Sequence, residues 1–539
     1  MSAATQTPVL IVGGGPVGLA LAATLGRRGI ACTLVEEGDG TIYHPRANTV
    51  NSRTMEFCRR WGIADDVRHS GAPPDFPSTI VYATGLNGYE LARIERPTYG
   101  GMKPLPTTPE RSQRCNQLFF DPLLRRLAQS LATVKLRYRC RFESFVEDGG
   151  GVISVVRDLQ TDTVSTIRSR YLVACCGGRS TIPDALGVRM EGTQVLGYHL
   201  NIFVRIRELW NHTAMGKAAF YFFVNRTGGG ASLIELDGRE LWRLGLNFGL
   251  ERVAPESVDI PGIMSRLIGP ETPYEVISSL PWTCRSIVAD RWQRGRVFLA
   301  GDAVHQHGPS GGFGMNTGVG DAVDLGWKLA ATIEGWGGDR LLESYEIERR
   351  PVAKRVVDEV AENSGEFLEP EMLEALEDPG LRGEAVRARV RDEIVRVRTR
   401  VFLSDGLVLG YRYDPSPLVW PDGTPPPRDS VTEYVPTARP GSRAPHAWLS
   451  DGRSTHDLFG IGFVLLTFGA AEEESGGLVA AARDRGVPLL VAAIDDPEIA
   501  RLYERKLVLV RPDGHVAWRD DAAPADAGAV IDRARGAAH

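Results

Sequence analysis

The clearest pattern of hydrophobic and polar positions lies near the start of the chain. Four apolar residues at positions 9–12 predict a buried parallel strand, and a glycine-rich turn follows at positions 13–18. Small and apolar residues then recur at helical spacing until Gly29, and residues 31–35 predict a second strand that ends at Glu36. This order of strand, turn, helix and strand is typical of a Rossmann-like unit that binds a dinucleotide.

Each glycine of this turn has a physical role in such a unit. Gly13 permits the tight turn, Gly15 lets the backbone approach a pyrophosphate, and Gly18 lets the helix pack against the strand. Free N–H groups at the helix N-terminus favour the phosphates, and Glu36 stands where a carboxylate can accept both ribose hydroxyls. A glycine-rich turn in another kind of α/β protein is the alternative interpretation. The residues predicted here to bind the dinucleotide are Gly13, Gly15, Pro16, Val17, Gly18, Glu36 and Glu37.

The middle of the chain has the pattern of a different sheet. From residue 192 to residue 286, short runs alternate apolar and polar side chains, which predicts antiparallel strands with one covered face. Such a sheet, inserted between pieces of the nucleotide-binding domain, would form the roof of a pocket. Its aromatic side chains either line that pocket or pack between the sheet and the helices as core residues. The candidates for the pocket lining are Phe203, Tyr221, Phe223, Trp242 and Trp282.

A third apolar strand, at residues 296–300, ends in Gly301 and Asp302. An acid at the end of such a strand can accept hydrogen bonds from sugar hydroxyls, and the glycines before the following helix offer N–H groups to an anionic ligand. His305 and His307 have the i, i+2 spacing of some metal ligands. No third ligand is grouped with them in the sequence, so no metal site is predicted.

The last part of the chain predicts a separate domain. A proline-rich stretch marks a linker or extended arm that ends near residue 443. The pattern after it predicts strands and helices in the order β-α-β-α-β-β-α, which resembles a thioredoxin-like domain. This domain contains no cysteine, so it cannot perform dithiol exchange, and we expect a structural or dimerising role.

Composition narrows the class of protein. The chain has 539 residues, of which 43% are hydrophobic and 24% are charged, as is ordinary for a globular protein of two or three domains. Its formal net charge of −6 argues against non-specific binding of nucleic acid, which needs a basic field. The seven cysteines lack metal-finger spacing, and the sequence shows neither a signal pattern nor a membrane span. We therefore expect a cytoplasmic enzyme.

With these motifs assembled, the chain resembles the FAD-dependent aromatic hydroxylases. Within them it is similar to the phenol hydroxylase and chlorophenol monooxygenase-like branch of the single-component flavoprotein monooxygenases. The glycine turn with Glu36 matches the family's FAD fingerprint, residues 45–56 match its next segment, and residues 301–316 match its second FAD motif. The FAD-binding residues that the resemblance adds are Arg46, Gln117, Gly301, Asp302, Pro309, Gly312, Gly314, Met315 and Asn316.

The resemblance also implies the fold and its division along the chain. The expected class is α/β, with a Rossmann-like FAD-binding domain of the p-hydroxybenzoate hydroxylase type, an interleaved antiparallel substrate sheet and a C-terminal thioredoxin-like domain. The expected segments are FAD binding at about 1–70, 111–190 and 284–345, the substrate sheet at about 71–110 and 191–283, a helical segment at about 339–410, a linker at 411–443 and the thioredoxin-like domain at 444–539.

The activity that the resemblance implies is hydroxylation of a phenolic aromatic substrate. In the family, NADH or NADPH reduces FAD, and the reduced flavin reacts with O₂ to give a C4a-hydroperoxide whose distal oxygen attacks the ring. Pro309 and His305 are the candidate catalytic residues, and a homodimer is the family-level expectation.

Two alternatives stay open, and one departure from the family bears on them. The same chemistry, as hydroxylation or as Baeyer–Villiger insertion, could act on a polycyclic polyketide antibiotic intermediate, or the chain could bind FAD with little turnover. Cys176 stands where the family usually carries an aspartate, with Arg179 and Ser180 retained after it. Losing a carboxylate removes a charge and a hydrogen-bond acceptor from a turn linked to FAD and NAD(P)H, so we expect altered reduction by the nucleotide.

Overall fold

The computed structural model describes residues 5–224, 230–362 and 370–537. Two large sheets and a smaller C-terminal sheet form its framework. The first elements in chain order are β1 (Thr5–Val12), α1 (Pro16–Gly26), β2 (Cys32–Val35), β3 (Thr49–Val50), α2 (Ser52–Trp61), α3 (Ala64–Arg68), β4 (Ile80–Ala83), β5 (Glu90–Ile94), β6 (Gln113–Arg114), α4 (Gln117–Ser130), β7 (Val134–Arg137), β8 (Cys140–Glu147), β9 (Val152–Asp158), β10 (Val164–Ala174) and α5 (Ile182–Ala185). The next elements are β11 (Met190–Arg205), β12 (Phe220–Phe223), β13 (Ala231–Glu235), β14 (Leu241–Asn247), α6 (Ile260–Ile268), β15 (Glu275–Ala289), β16 (Gln293–Arg294), β17 (Val297–Leu299), β18 (His305–Gln306), α7 (Gly314–Glu334), α8 (Ser344–Glu362), α9 (Pro370–Ala375), α10 (Leu381–Phe402) and α11 (Asp405–Val408).

The first sheet contains the nucleotide-binding unit that the N-terminal pattern predicts. Its main path runs β16-β17-β10-β1-β2-β7, and β9 and β8 extend from β10. Strand β1 pairs in parallel with both β10 and β2, and the register places Val12 opposite Ala174 and Val35. The carboxyl ends of these strands therefore meet at one edge, where ligands of open α/β sheets bind.

The second sheet joins two separated parts of the chain, as predicted. Its order is β18-β15-β11-β14-β13-β12-β4-β5, so the hairpin at residues 80–94 continues the sheet built by β11 to β15. The structure differs from the prediction at one pair, because β12 and β4 run parallel instead of antiparallel. The chain passes through the first sheet between these two strands, and such a long crossover permits the parallel pairing.

The C-terminal sheet has the order β20-β19-β21-β22. Its elements are β19 (Phe463–Thr467), α12 (Glu472–Asp484), β20 (Leu489–Ala493), α13 (Pro497–Tyr503), β21 (Leu507–Val510), β22 (Val516–Asp520) and α14 (Ala527–Ala534). The predicted β-α-β-α-β-β-α order is confirmed. The arm before it is not a loose connection, because Tyr411, Tyr413 and Arg443 are all buried. Across the described ranges, no helix is both long enough and apolar enough to cross a bilayer.

Candidate active site

The glycine turn between β1 and α1 leaves open space in front of the helix. Gly13 has a φ of 112°, and its N–H donates to the carbonyl of Val35 at 2.9 Å. A Cβ at Gly18 would lie 2.0 Å from the carbonyl oxygen of Gly13, so close packing of helix and strand requires glycine there. A Cβ at Gly15 would meet no atom within 4 Å. The N-terminus of α1 has no side-chain cap, so its N–H groups face this space.

Glu36 lies at the end of β2 with its carboxylate directed at the glycine turn. Oε2 accepts a hydrogen bond from the N–H of Gly14 at 2.7 Å, and Oε1 accepts one from the N–H of Gly38 at 2.7 Å. These bonds orient the carboxylate and leave a further lone pair on each oxygen for a ligand. Glu37 instead pairs with Arg141 at 2.7 Å on the surface. The structure therefore brings Glu36 to the cofactor edge and directs Glu37 away from it.

Arg46 and Gln117 come from different segments, and both act on the carboxylate of Asp121. Nε2 of Gln117 donates to Oδ2 of Asp121 at 2.9 Å, and the backbone N–H of Gln117 donates to the carbonyl of Ala47 at 2.9 Å. Burial raises the pKa of both Asp121 and Asp302, and the positive charge of Arg46 acts in the opposite direction at each. Arg46 is thus close to both carboxylates.

Asp302 follows β17, at the carboxyl edge of the first sheet. Its side chain is accessible to solvent. The surrounding protein still removes enough water from the carboxylate to raise its pKa, as expected for a carboxylate that lines a cleft. His305 lies behind this turn, only 1% exposed, with Nε2 2.9 Å from Oδ2 of Asp321. Asp321 also accepts the N–H of Gly301 at 3.2 Å. His305 therefore stabilises the turn through Asp321. Its burial does not support a catalytic role, and that role stays a prediction.

Asn316 ties the glycine-rich loop at residues 309–316 to strand β3. Its Oδ1 accepts the N–H of Asn51 at 2.9 Å, and its Nδ2 donates to the carbonyls of Thr49 at 2.9 Å and Gly312 at 2.7 Å. One buried amide thus fixes the loop at three points. The other loop residues predicted to bind FAD are Pro309, which is exposed just before a short 3-10 turn, Gly314, which begins α7, and Met315, which packs against the core.

Of the two remaining residues of the glycine motif, Val17 contacts the second motif and Pro16 begins the helix. Pro16 begins α1, where its missing N–H costs no helical hydrogen bond. The Val17 side chain lies against Gly301 and Gly318, since a Cβ at either glycine would meet it at 2.9 Å or 2.6 Å. The first and second motifs are therefore in direct contact.

Cys176 lies in the turn that follows β10. Its thiol donates to Oγ of Ser180 at 2.7 Å, and burial raises its pKa to about 11, so the thiol is uncharged at neutral pH. The turn packs on Gln306, whose Nε2 a Cβ at Gly178 would meet at 2.6 Å. A neutral donor thus stands where the resemblance implies a charged acceptor. Its effect on reduction by NAD(P)H stays a prediction.

Alternate side chains of the second sheet point to two different environments. The core face, which packs against α6, holds Tyr221, Phe223 and Trp242, each at most 1% exposed. The opposite face, here called the cavity face after the pocket that the sequence predicts beneath this sheet, carries Phe203 and Trp282. The three core-face aromatics therefore have the packing role that was the alternative interpretation. For Phe203 and Trp282, a role in lining the pocket stays a prediction.

The cavity face also carries a cation that the sequence reasoning missed. Arg243 lies opposite Phe203, and its NH1 donates to Oδ1 of Asn201 at 3.2 Å while its Nε has no partner. Within the part of the chain that the structure describes, no carboxylate lies within 4.0 Å of this guanidinium. Burial lowers its pKa to about 10, so Arg243 is charged at neutral pH. Its alternation with Trp242 and Leu244 in an apolar strand was the available signal.

Two histidines flank Arg243 on the cavity side. Nδ1 of His44 lies 2.9 Å from Oγ of Ser278, and the His199 ring stacks on Trp282 with 4.3 Å between centroids. Burial, and then the charge of Arg243, lower the pKa of each histidine to about 4. Both imidazoles are therefore neutral at pH 7.

The residues at the carboxyl edge of the first sheet fit a flavin dinucleotide. The open space at Gly15, beside an uncapped helix N-terminus, suits a pyrophosphate. Glu36 suits a ribose, and Asp302, accessible in its cleft, suits the hydroxyls of a polyol chain. Asn316 fixes the glycine-rich loop that leads into α7.

Comparisons with known proteins agree with this arrangement. The family model described as "FAD binding domain" matches residues 6–360, and that described as "Aromatic-ring hydroxylase, C-terminal" matches residues 437–538. The chain is 32% identical to tetracenomycin A2 monooxygenase-dioxygenase of Streptomyces glaucescens, over 97% of this chain and 95% of that one. It is 31% identical to 2,4-dichlorophenol 6-monooxygenase of Cupriavidus pinatubonensis, over 98% and 95% of the two chains.

A solved structure is similar over the whole length. Chromopyrrolic acid-soaked RebC with bound 7-carboxy-K252c superposes with a TM-score of 0.92 and 42% identity, covering 99% of this chain and 100% of that chain. The fold and the site define a flavoprotein of the aromatic-ring hydroxylase class. This chain belongs to that family, as an FAD-dependent aromatic monooxygenase, which confirms the predicted fold class, cofactor and reaction type.

Proposed function

We propose that this monooxygenase hydroxylates a phenolic aromatic compound that carries an anionic group, and that Arg243 binds that group. The observation that carries the proposal is the buried guanidinium of Arg243 on the cavity face, without a carboxylate partner among the described residues. A buried charge without a partner is costly, so an anionic substrate that pairs with it gains affinity and a fixed orientation.

The relatives supply a chemical precedent for such a substrate. The RebC structure is named for chromopyrrolic acid and for 7-carboxy-K252c, and both names specify a carboxyl group. The other relatives are named for a tetracenomycin and for a dichlorophenol, so ring systems of different size occur among them. The proposed substrate is therefore defined by its anionic group, and the panel of ligands described next determines its number of rings.

The chain's own residues would have three tasks in this reaction. Bound FAD, once reduced by NAD(P)H, supplies activated oxygen from O₂. Arg243 and Asn201 would hold the anionic group, and the cavity face with Phe203 would cover the ring and exclude water. His44 would donate or accept a hydrogen bond but would be a weak base, because its pKa is about 4.

The test is oxidation of NADH and of NADPH with matched pairs of ligands. Phenol is compared with 4-hydroxybenzoate, and chromopyrrolic acid and 2,4-dichlorophenol extend the panel, while oxygenated product and H₂O₂ are followed. We expect the carboxylated members to stimulate oxidation and to be converted to product. Stimulation by neutral phenols alone would contradict the anionic-substrate proposal and leave the family assignment intact.

Variants of Arg243 sharpen this test. Arg243→Met should raise KM for the carboxylated substrate roughly tenfold or more, because a charge-assisted hydrogen bond is lost. Arg243→Lys keeps the positive charge and should restore part of the lost affinity. Arg205→Met is the matched control, since Arg205 lies on the same sheet but pairs with Glu240 at 3.0 Å. An unchanged KM in Arg243→Met would contradict the assignment of Arg243 as the residue that binds the anionic group. The homodimer and the cytoplasmic location stay predictions from the sequence.

A further inference from the structure

A chain of buried contacts joins the C-terminal domain to the turn that carries Asp302. Its first member is Asp321 on α7. The Asp321 carboxylate accepts hydrogen bonds from the N–H of Gly301 at 3.2 Å and from Nε2 of His305 at 2.9 Å. Because these two residues flank Asp302, this one carboxylate fixes both sides of the turn.

Arg349 on α8 is the second member. Its Nε donates to the other oxygen of Asp321 at 2.9 Å, and its NH2 donates to the carbonyl of Thr317 at 3.0 Å. Its NH1 lies 3.4 Å from the hydroxyl of Tyr413, in the arm that leads to the C-terminal domain. Arg349 therefore connects the start of α7 to that arm.

The C-terminal domain meets this arm through the turn between β21 and β22. The Arg511 guanidinium lies 4.9 Å from the centroid of the Tyr413 ring, and the His515 ring lies 4.1 Å from the same centroid. Both side chains are fully buried. The turn of the C-terminal domain thus packs directly on the residue that contacts Arg349.

Arg511 also binds the two helices themselves. It pairs with Glu348 of α8 at 2.5 Å and with Asp324 of α7 at 3.2 Å, and Lys328 joins the same two carboxylates at 2.6 Å and 2.7 Å. Burial by itself would raise the pKa of Glu348, but Arg511 and Lys328 bring it down to about 2. Removing Arg511 would leave buried carboxylates with one cation fewer.

We propose that Arg511 is a positioning residue for the cofactor: through Tyr413, Arg349 and Asp321 it fixes the turn that presents Asp302 to FAD. Helix α7 begins with the loop residues and carries Asp321 and Asp324 further along, so a shift of this helix moves both parts of the site. This gives the thioredoxin-like domain, which has no cysteine, a role in FAD binding. A purely structural role would stabilise the fold without altering the affinity for FAD.

The first test compares FAD binding by two arginine variants of the full chain. Arg511→Met should weaken FAD binding roughly tenfold, towards the lower end of the usual range for coupled sites, and should shift the absorbance spectrum of bound FAD. Arg519→Met is the matched control, because Arg519 is equally buried in the same domain but pairs with Asp422 at 2.7 Å and Glu504 at 2.6 Å. Arg511→Lys should restore most of the affinity.

Two results of this titration would overturn the proposal. One is a folded Arg511→Met protein whose FAD dissociation constant lies within twofold of the wild-type value. The other is an equal loss of affinity in Arg519→Met, which would mean that any damage to this domain weakens FAD binding.

A second measurement needs no variant and stays decisive if Arg511→Met fails to fold. Coupling between two sites is reciprocal, so FAD added to the apoprotein should slow hydrogen exchange of the amides of residue 511 and residues 513–516. Exchange in α12, which has no part in this chain of contacts, should change less than that of this turn. Unchanged exchange at residue 511 and residues 513–516 on FAD addition would refute the proposal.

Discussion

The side chain of Asn316 accepts the backbone N–H of Asn51 at 2.9 Å, although the two residues are 265 positions apart. Asn51 in turn caps α2, its Oδ1 accepting the N–H of Thr54 at 3.0 Å. The loop of the second FAD motif and the start of α2 are therefore parts of one hydrogen-bonded unit.

Asn316→Leu should break this unit. It leaves one buried N–H and the carbonyls of Thr49 and Gly312 without partners, at a cost of about 1–3 kcal/mol in the free energy of unfolding. We expect protein purified with little FAD and a lower Tm, measured by the flavin-to-protein absorbance ratio and by thermal unfolding. Asn211→Leu, at an exposed asparagine, is the control. Normal FAD content in Asn316→Leu would contradict this role.

Gly15→Ala and Gly18→Ala should fail in different ways. A Cβ at Gly15 meets open space, so this variant should fold with wild-type stability and lose FAD affinity by about tenfold or more, because the methyl group would occupy the space predicted for the pyrophosphate. A Cβ at Gly18 would collide with the carbonyl of Gly13, so that variant should be destabilised even without FAD. Circular dichroism of the apoproteins and FAD titration separate the two. Unaltered FAD affinity in Gly15→Ala would argue against a phosphate at this turn.

Local pattern and motif spacing were sufficient for the backbone of this site. The strand–turn–helix order around Gly13 and the acid after β17 place Gly15, Glu36 and Asp302 at one sheet edge, because carboxyl ends of parallel strands must meet there. The β-α-β-α-β-β-α order of the C-terminal domain follows from short apolar runs separated by turn residues.

The sequence could not decide which face of the second sheet is covered. Alternation predicts two faces, but Phe203 and Phe223 look alike in sequence, and only the structure shows that Phe223, and not Phe203, belongs to the cluster that contains α6. Long-range pairs such as His305 with Asp321 and Arg349 with Tyr413 were equally out of reach, because their partners lie on separate elements.

Because of Asp121, the free energy of unfolding should decrease as the pH rises from about 4 to about 7. Burial raises its pKa from 3.8 to about 7, so in this window the folded protein keeps a proton that the unfolded chain has released. The full effect of such a shift is about 4 kcal/mol. Asp121→Asn, which retains an acceptor for Gln117, should remove this part of the slope in urea unfolding measured from pH 4.5 to pH 7.5. Parallel pH profiles for variant and wild type would show that Asp121 does not titrate there.

Phe203 and Phe223 provide a matched pair for the two faces of the second sheet. Phe223 is 1% exposed in the core beside α6, so Phe223→Leu should lower the free energy of unfolding by about 1 kcal/mol and leave KM within about twofold. Phe203 lies opposite Arg243 on the cavity face, so Phe203→Leu should change KM for a carboxylated substrate several-fold with a smaller loss of stability. Urea unfolding measures the free energy of unfolding of each variant, and steady-state kinetics measures its KM. A KM change confined to Phe223→Leu would reverse the assignment of the faces and, with it, the placement of Arg243 beside the substrate.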